Sequence, residues 1–198
     1  MRVSILDYGV GNVHSLAKAI TAAGGEPRVE RDVRVAMKAD ALVLPGVGAF
    51  SPAAECLAPA RSVLRDTILG GFPTLGICLG MQLLFDASDE GPGAGLGVFE
   101  GRVTRLRARA VPQIGWNAVD GTEDPFIRGS ALREAYYANS YACRPHDASV
   151  VWAWTDHDGD RFPAVVRRGR TLGVQFHPEK SSRPGVAFIR AFLSEVAA

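Results

Sequence analysis

A cysteine with a glycine two residues to either side, in Gly76-Ile77-Cys78-Leu79-Gly80, follows a short apolar run and precedes apolar positions at helical spacing. That is the layout of a nucleophile elbow, a sharp strand-to-helix turn that lifts a reactive side chain clear of a sheet. Glycines suit such a turn because residues without a Cβ tolerate close backbone approach and positive φ. A cysteine opening a helix also feels the positive end of the helix dipole, which favours the nucleophilic thiolate. For attack on a carbonyl it needs three further parts: a base, a group that orients the base, and donors for the developing oxyanion.

The segment Gln175-Phe176-His177-Pro178-Glu179-Lys180-Ser181 offers the first two. Pro178 keeps the His177 backbone out of the helical region. In an extended segment residues two apart share a side, so the spacing predicts Glu179 beside the His177 ring, fixing its tautomer and stabilising the imidazolium. Leu44-Pro45-Gly46-Val47-Gly48-Ala49-Phe50 offers the third. Its glycine-rich backbone, at Gly46, Val47 and Gly48, can present N–H groups to an oxyanion beside the N–H of Leu79. A phosphate cradle is the weaker reading, since no Lys-Ser/Thr follows. Taken singly, a buried cysteine is more often a small core residue, as Cys56 and Cys143 are read, and His-Pro-Glu is a common turn. Three strand ends, each bringing a different part of an acyl-transfer site, favour a Cys78–His177–Glu179 triad. The other histidines, His14, His146 and His157, read as surface or locally bonded residues.

The elements that must position these groups follow from periodicity. Strands are predicted at Val3–Leu6, Pro27–Arg31, Ala41–Leu44 and just before Cys78, with helices between them at residues 12–23, capped by Asn12, and around 58–69. Alternating strands and helices imply a parallel sheet with helices on both faces. Functional residues of such sheets gather beyond the carboxyl ends of the strands. After the glycine-rich residues 91–95 strand-like runs dominate, including 98–106, 115–119, 136–142, 150–154, 164–168 and 171–176, before a final helix near 184–196. The fold class is therefore α/β: an open, mostly parallel sheet with an antiparallel extension on the same sheet. Trp152 and Trp154, two apart on one strand, are expected in the core.

The chain has 198 residues, 47% of them hydrophobic, and is read as one domain over 1–198. With 22 Lys+Arg against 21 Asp+Glu it lacks the basic excess of a nucleic-acid binder. The arginines between 102 and 109 alternate as on a solvated strand face. Three scattered cysteines form no disulfide framework and no zinc-ligand spacing, so no metal is expected. The N-terminus enters a strand directly and no apolar run spans a bilayer, so the expected location is cytoplasmic.

These segments together resemble the class I, triad-type glutamine amidotransferases, whose fold is flavodoxin-like. More narrowly, they resemble the glutaminase subunits of imidazole glycerol phosphate synthases, over essentially the whole length. Asp7-Tyr8-Gly9-Val10-Gly11-Asn12 and Pro112-Gln113-Ile114-Gly115-Trp116-Asn117 carry that narrower likeness, together with the oxyanion loop and the His-Pro-Glu segment. The resemblance implies hydrolysis of glutamine to glutamate and ammonia through a γ-glutamyl thioester on Cys78. It implies glutamine contacts at Gln82 and the Gly46–Gly48 backbone, and no metal or organic cofactor. It also implies a heterodimer with a (β/α)8-barrel cyclase of histidine biosynthesis that receives the ammonia, with Asn12, Trp116 and Lys180 at the interface. One departure stands out: Asn139 occupies a position where the family more often has histidine. A freestanding glutaminase would waste glutamine, and Val47 between two glycines suits a backbone flip. The Pro45–Gly48 loop is thus expected to be mis-set alone and re-oriented when the cyclase carries its ligand. Two alternatives remain at this level: a glutaminase serving another synthase, or a catalytically silent scaffold subunit.

Overall fold

The computed structural model describes residues 1–9, 12–121 and 129–198; Val10 and Gly11 of the opening motif lie outside the described residues. The strands are β1 (Arg2–Leu6), β2 (Glu26–Glu30), β3 (Ala41–Leu44), β4 (Thr74–Ile77), β5 (Ala87–Ser88), β6 (Gly101–Arg105), β7 (Gln113–Ala118), β8 (Glu134–Asn139), β9 (Tyr141–Pro145), β10 (Val151–His157), β11 (Asp160–Arg168) and β12 (Thr171–Val174). A seven-stranded sheet runs in the order β10-β11-β12-β4-β3-β1-β2. From β12 to β2 every neighbour is parallel, the doubly wound order, whereas β11 and β10 add an antiparallel edge. All residues of β3, β4 and β12 are buried, as expected of strands covered on both faces.

Two helical layers provide that cover. On one face α1 (Val13–Ala22) and α6 (Ser182–Ala197) bring Leu16, Ile20, Phe188 and Phe192 against Val3, Ile5 and Ile77. On the other, α2 (Val33–Ala36), α3 (Phe50–Leu57), α4 (Arg61–Leu69) and α5 (Leu79–Leu83) bring Ala36, Phe50, Leu64 and Leu83 against Leu42 and Leu44. Asn12 caps α1 as expected, its side chain accepting from the Ser15 N–H at 3.2 Å.

Several local expectations are revised. The helix expected over 58–69 is preceded by α3 and broken at a 3₁₀ turn, Ala58–Ala60, where Pro59 cannot donate to a continuing helix. The run 136–142 divides at Ser140 into β8, which pairs with β7, and β9, which pairs with β6. The antiparallel part is therefore three pieces, and only β10 and β11 extend the main sheet. Trp152 and Trp154 are half-buried, with Arg167 4.3 Å above the first ring and Arg161 5.0 Å above the second; Trp152 packs against the edge of the core and Trp154 does not join it. Ala153 and Thr155 take the buried positions instead. Cys143 is buried, but Cys56 is exposed. Among the described residues no helix is long and apolar enough to cross a membrane.

Candidate active site

The adjacent strands β3, β4 and β12 end together, and each hands over to one of the three predicted parts. Cys78 follows β4 with φ +49° and ψ −105°, a strained conformation for a residue bearing a side chain. The turn is held by the Cys78 N–H donating to the Val174 carbonyl at 2.7 Å and the Gln82 N–H donating to the Cys78 carbonyl at 3.0 Å. Glycine is required around it. A Cβ on Gly46 would lie 1.9 Å from the Ile77 carbonyl oxygen and 2.4 Å from the Leu79 nitrogen. One on Gly80 would lie 2.0 Å from the Leu44 carbonyl oxygen. This wedge presses the Gly46–Gly48 loop against Leu79, the residue after Cys78. The helix expected after Cys78 is α5, only five residues long, so its dipole is weaker than the sequence suggested.

His177 is buried and extended, with φ −102° and ψ 96°, and its N–H donates to the Tyr136 carbonyl at 2.8 Å. Its Nδ1 lies 2.8 Å from Glu179 Oε1. The contact arises differently from the sequence argument: Pro178–Lys180 is a 3₁₀ turn, not extended chain, and the turn curls Glu179 back onto the ring. Burial lowers the proton affinity of His177, but hydrogen bonding and charge from Cys78 and Glu179 outweigh it and push its pKa up to about 10. With Nδ1 occupied by Glu179, the buried Nε2 is the nitrogen that faces Cys78.

Gly46, Val47, Gly48, Leu79 and Gln82 line one cleft with Cys78, of about 190 Å³. That is below the roughly 300–1,000 Å³ of sites for drug-sized ligands, so the occupant is small. A larger cleft of about 430 Å³ beside Arg61, Arg65 and Asp86 has neither cysteine nor histidine in its walls; size does not mark the site.

Sequence reasoning assigned no role to three residues here, Glu90, Gln175 and Tyr8. Glu90 lines the cleft, its Oε2 accepting from the Phe50 N–H at 2.9 Å, yet nothing in the Asp89-Glu90 pair distinguishes it from a surface acid. Gln175 is fully buried beside Cys78, and the available signal was a polar residue inside an apolar run. Asn139 also lines the cleft and donates to the Tyr141 carbonyl at 3.1 Å. The hydroxyl of the buried Tyr8, in the loop after β1, donates to the Pro45 carbonyl at the head of the glycine loop.

Of the expected interface residues, Trp116 is 52% exposed and meets Tyr136 edge-on at 6.4 Å, while Lys180 Nζ lies 5.7 Å from the same ring. Ile114, 68% exposed, extends this patch along β7. Asn12 is exposed at the start of α1, which packs on the 3₁₀ turn carrying Lys180.

Comparison with known proteins follows the same lines. The sequence profile of the family Glutamine amidotransferase class-I matches residues 4–196. Imidazole glycerol phosphate synthase subunit HisH of Symbiobacterium thermophilum is 46% identical over 194 residues, covering 95% of this chain and 91% of that protein. HisH of Pyrobaculum aerophilum is 42% identical over 194 residues and 98% of each chain. A crystal structure of a glutamine amidotransferase superposes with a TM-score of 0.78 at 22% identity, covering 99% of both chains.

Proposed function

Because the chain belongs to the class-I glutamine amidotransferase family, and within it to the HisH subunits of imidazole glycerol phosphate synthase, we propose that its cleft releases ammonia from glutamine at Cys78. The observation that carries this reading is that Cys78 and the Gly46–Gly48 loop line one small cleft while the buried His177–Glu179 pair follows the strand next to the one that ends at Cys78.

The chemistry runs in two halves. In the resting pair His177 Nε2 already holds the proton, and the Cys78 thiolate attacks the γ-carboxamide carbon of glutamine. The tetrahedral oxyanion faces the Leu79 N–H and a donor of the Gly46–Gly48 loop. His177 then gives the proton to the leaving nitrogen, so ammonia departs and a γ-glutamyl thioester remains. Water, deprotonated by the same nitrogen, cleaves the thioester to glutamate and restores the resting pair. Glu179 holds the ring so that Nε2 faces the sulfur throughout. Glu90, steadied by the Phe50 N–H, takes the α-ammonium of the substrate, which explains a carboxylate in so small a cleft.

The ammonia passes to a (β/α)8-barrel cyclase docked on the Trp116–Tyr136–Lys180 patch and Asn12. The Pro45–Gly48 loop reaches its working conformation only when that cyclase carries its ligand, which spares glutamine otherwise. The test is glutamate release by the purified chain, alone and with the cyclase and a substrate analogue. Stimulation by the liganded partner is expected, and equal rates would reject the gating. Cys78→Ala should abolish glutamine-dependent synthesis in the complex yet leave synthesis from ammonium salts intact. Surviving glutamine hydrolysis in that variant would reject Cys78 as nucleophile.

A further inference from the structure

The triad leaves unexplained what faces the other side of the sulfur. Gln175 lies one residue beyond β12, its backbone fixed by an N–H bond to the Ala164 carbonyl at 3.0 Å. A backbone carbonyl can only accept, so the Tyr141 carbonyl, 3.1 Å from Gln82 Nε2, fixes which end of the Gln82 amide is NH₂. That same NH₂ reaches Gln175 Oε1 at 3.4 Å. The acceptor end of Gln175 is thereby committed, and its NH₂ faces Cys78 Sγ at 3.4 Å. Orientation thus passes from one carbonyl through two buried amides to the reactive atom.

We propose that Gln175 is a catalytic residue of the glutaminase reaction, donating a hydrogen bond that stabilises the Cys78 thiolate, and that Gln82 serves to aim it. A donor to a charged acceptor stabilises that form above the neutral one, and more so in a site from which water is excluded. The short α5 leaves this role open, because a five-residue helix supplies little dipole. The inference rests on Cys78 being the nucleophile. Gln82 still lines the cleft, where its NH₂ is committed within the protein.

The charged and titratable groups around the sulfur are few. His177 faces it from the β12 side, with Glu179 behind, and Glu90 stands across the cleft. Tyr8, after β1, and Cys143, on β9, are within electrostatic reach, but burial pushes the proton affinity of both well up, so both stay neutral near pH 7. A change in thiolate formation on altering Gln175 therefore reads out the lost donor.

The test is the pH profile of Cys78 alkylation by iodoacetamide, in a Cys56→Ser background because Cys56 is exposed. Gln175→Met keeps the shape and removes the donor. Its alkylation midpoint should rise by about one pH unit, as expected for a lost hydrogen bond to a charged group. Glutamine hydrolysis with the liganded cyclase should fall about tenfold in kcat at neutral pH with KM little changed. Gln175→Leu, which likewise lacks a donor and adds no charge, should shift the midpoint by a similar amount, and it carries the test if the methionine variant does not fold. An unmoved midpoint in a folded variant overturns the proposal, even if activity drops. Wild-type protein that neither alkylates at Cys78 nor hydrolyses glutamine would overturn the nucleophile assignment instead.

Discussion

The two walls of the cleft are built to different standards of rigidity. On the nucleophile wall, Cys78 is tied through its N–H to β12 and through its sulfur to Gln175, and His177 is tied to β8 and to Glu179. On the oxyanion wall, the Tyr8 hydroxyl holds the Pro45 carbonyl and Gly46 is wedged against the elbow. Past Gly46 the chain reaches Gly48 at φ +138°, a conformation that glycine adopts and leaves easily. The sheet thus fixes the groups that move protons. The Gly46–Gly48 loop stands on backbone that its glycines leave freer.

The largest effect should come from loosening the rigid wall. Glu179→Gln keeps the shape but can present NH₂ to the imidazole, favouring the wrong tautomer. A loss of about 10³–10⁴-fold in kcat for glutamate release is expected, with KM nearly unchanged. Its stability effect has a definite sign. His177 is raised in the fold, to about 10, so its contribution is fully present below the unfolded value near 6.5 and is lost as pH rises through the folded value. The difference in unfolding free energy between wild type and Glu179→Gln should therefore be greater at pH 6 than at pH 10. A gap constant across that range would show that Glu179 does not sustain the charged imidazole.

A smaller effect should follow from breaking the junction between the walls. Gly46→Ala drives a Cβ to within 1.9 Å of the Ile77 carbonyl oxygen, so either the loop or the elbow must shift. Overpacking of this kind costs about 1–3 kcal/mol of stability, and a displaced oxyanion donor costs about 10²–10³-fold in kcat. Glutamine hydrolysis in the stimulated complex and urea unfolding check both. If the loop alone moves, Cys78 alkylation stays near the wild-type rate while hydrolysis falls. If alkylation falls equally, the walls are one rigid unit and the contrast between them fails.

How much of this was legible in the sequence follows the same contrast. Cys78 and His177 were readable because each closes an apolar run, and strand ends in a parallel sheet converge, whereas Glu179 meets the ring through a 3₁₀ turn and not through the extended chain the spacing implied. The loop glycines were readable by type, although not by their cause, which is the contact of Gly46 with the elbow. Gln175, Glu90 and Tyr8 were not assigned roles. Each acts through a partner 40 or more residues away or, for Tyr8, across 37, and no local period encodes such a contact. The division of the 136–142 run was hidden for a related reason, since β8 and β9 differ only in which distant strand each pairs with.

The smallest predicted effect tests the lighter tether directly. Tyr8→Phe preserves the buried ring and its packing with Leu44 and Phe50, and removes only the hydroxyl on Pro45. A buried carbonyl left without its donor costs about 1–3 kcal/mol, which urea unfolding should register. The catalytic consequence depends on what the tether does. Holding the Pro45 carbonyl toward Tyr8 fixes the peptide from which the Gly46–Gly48 loop starts, so losing it widens the set of loop conformers. The stimulated kcat should then fall roughly tenfold, less than for Gly46→Ala because the wedge still limits the loop. KM for glutamine and the alkylation rate of Cys78 should be unchanged, since neither the rest of the cleft nor the nucleophile wall is touched. A stability loss with unaltered kcat would make Tyr8 a packing residue and leave the Gly46 wedge as what positions the oxyanion wall.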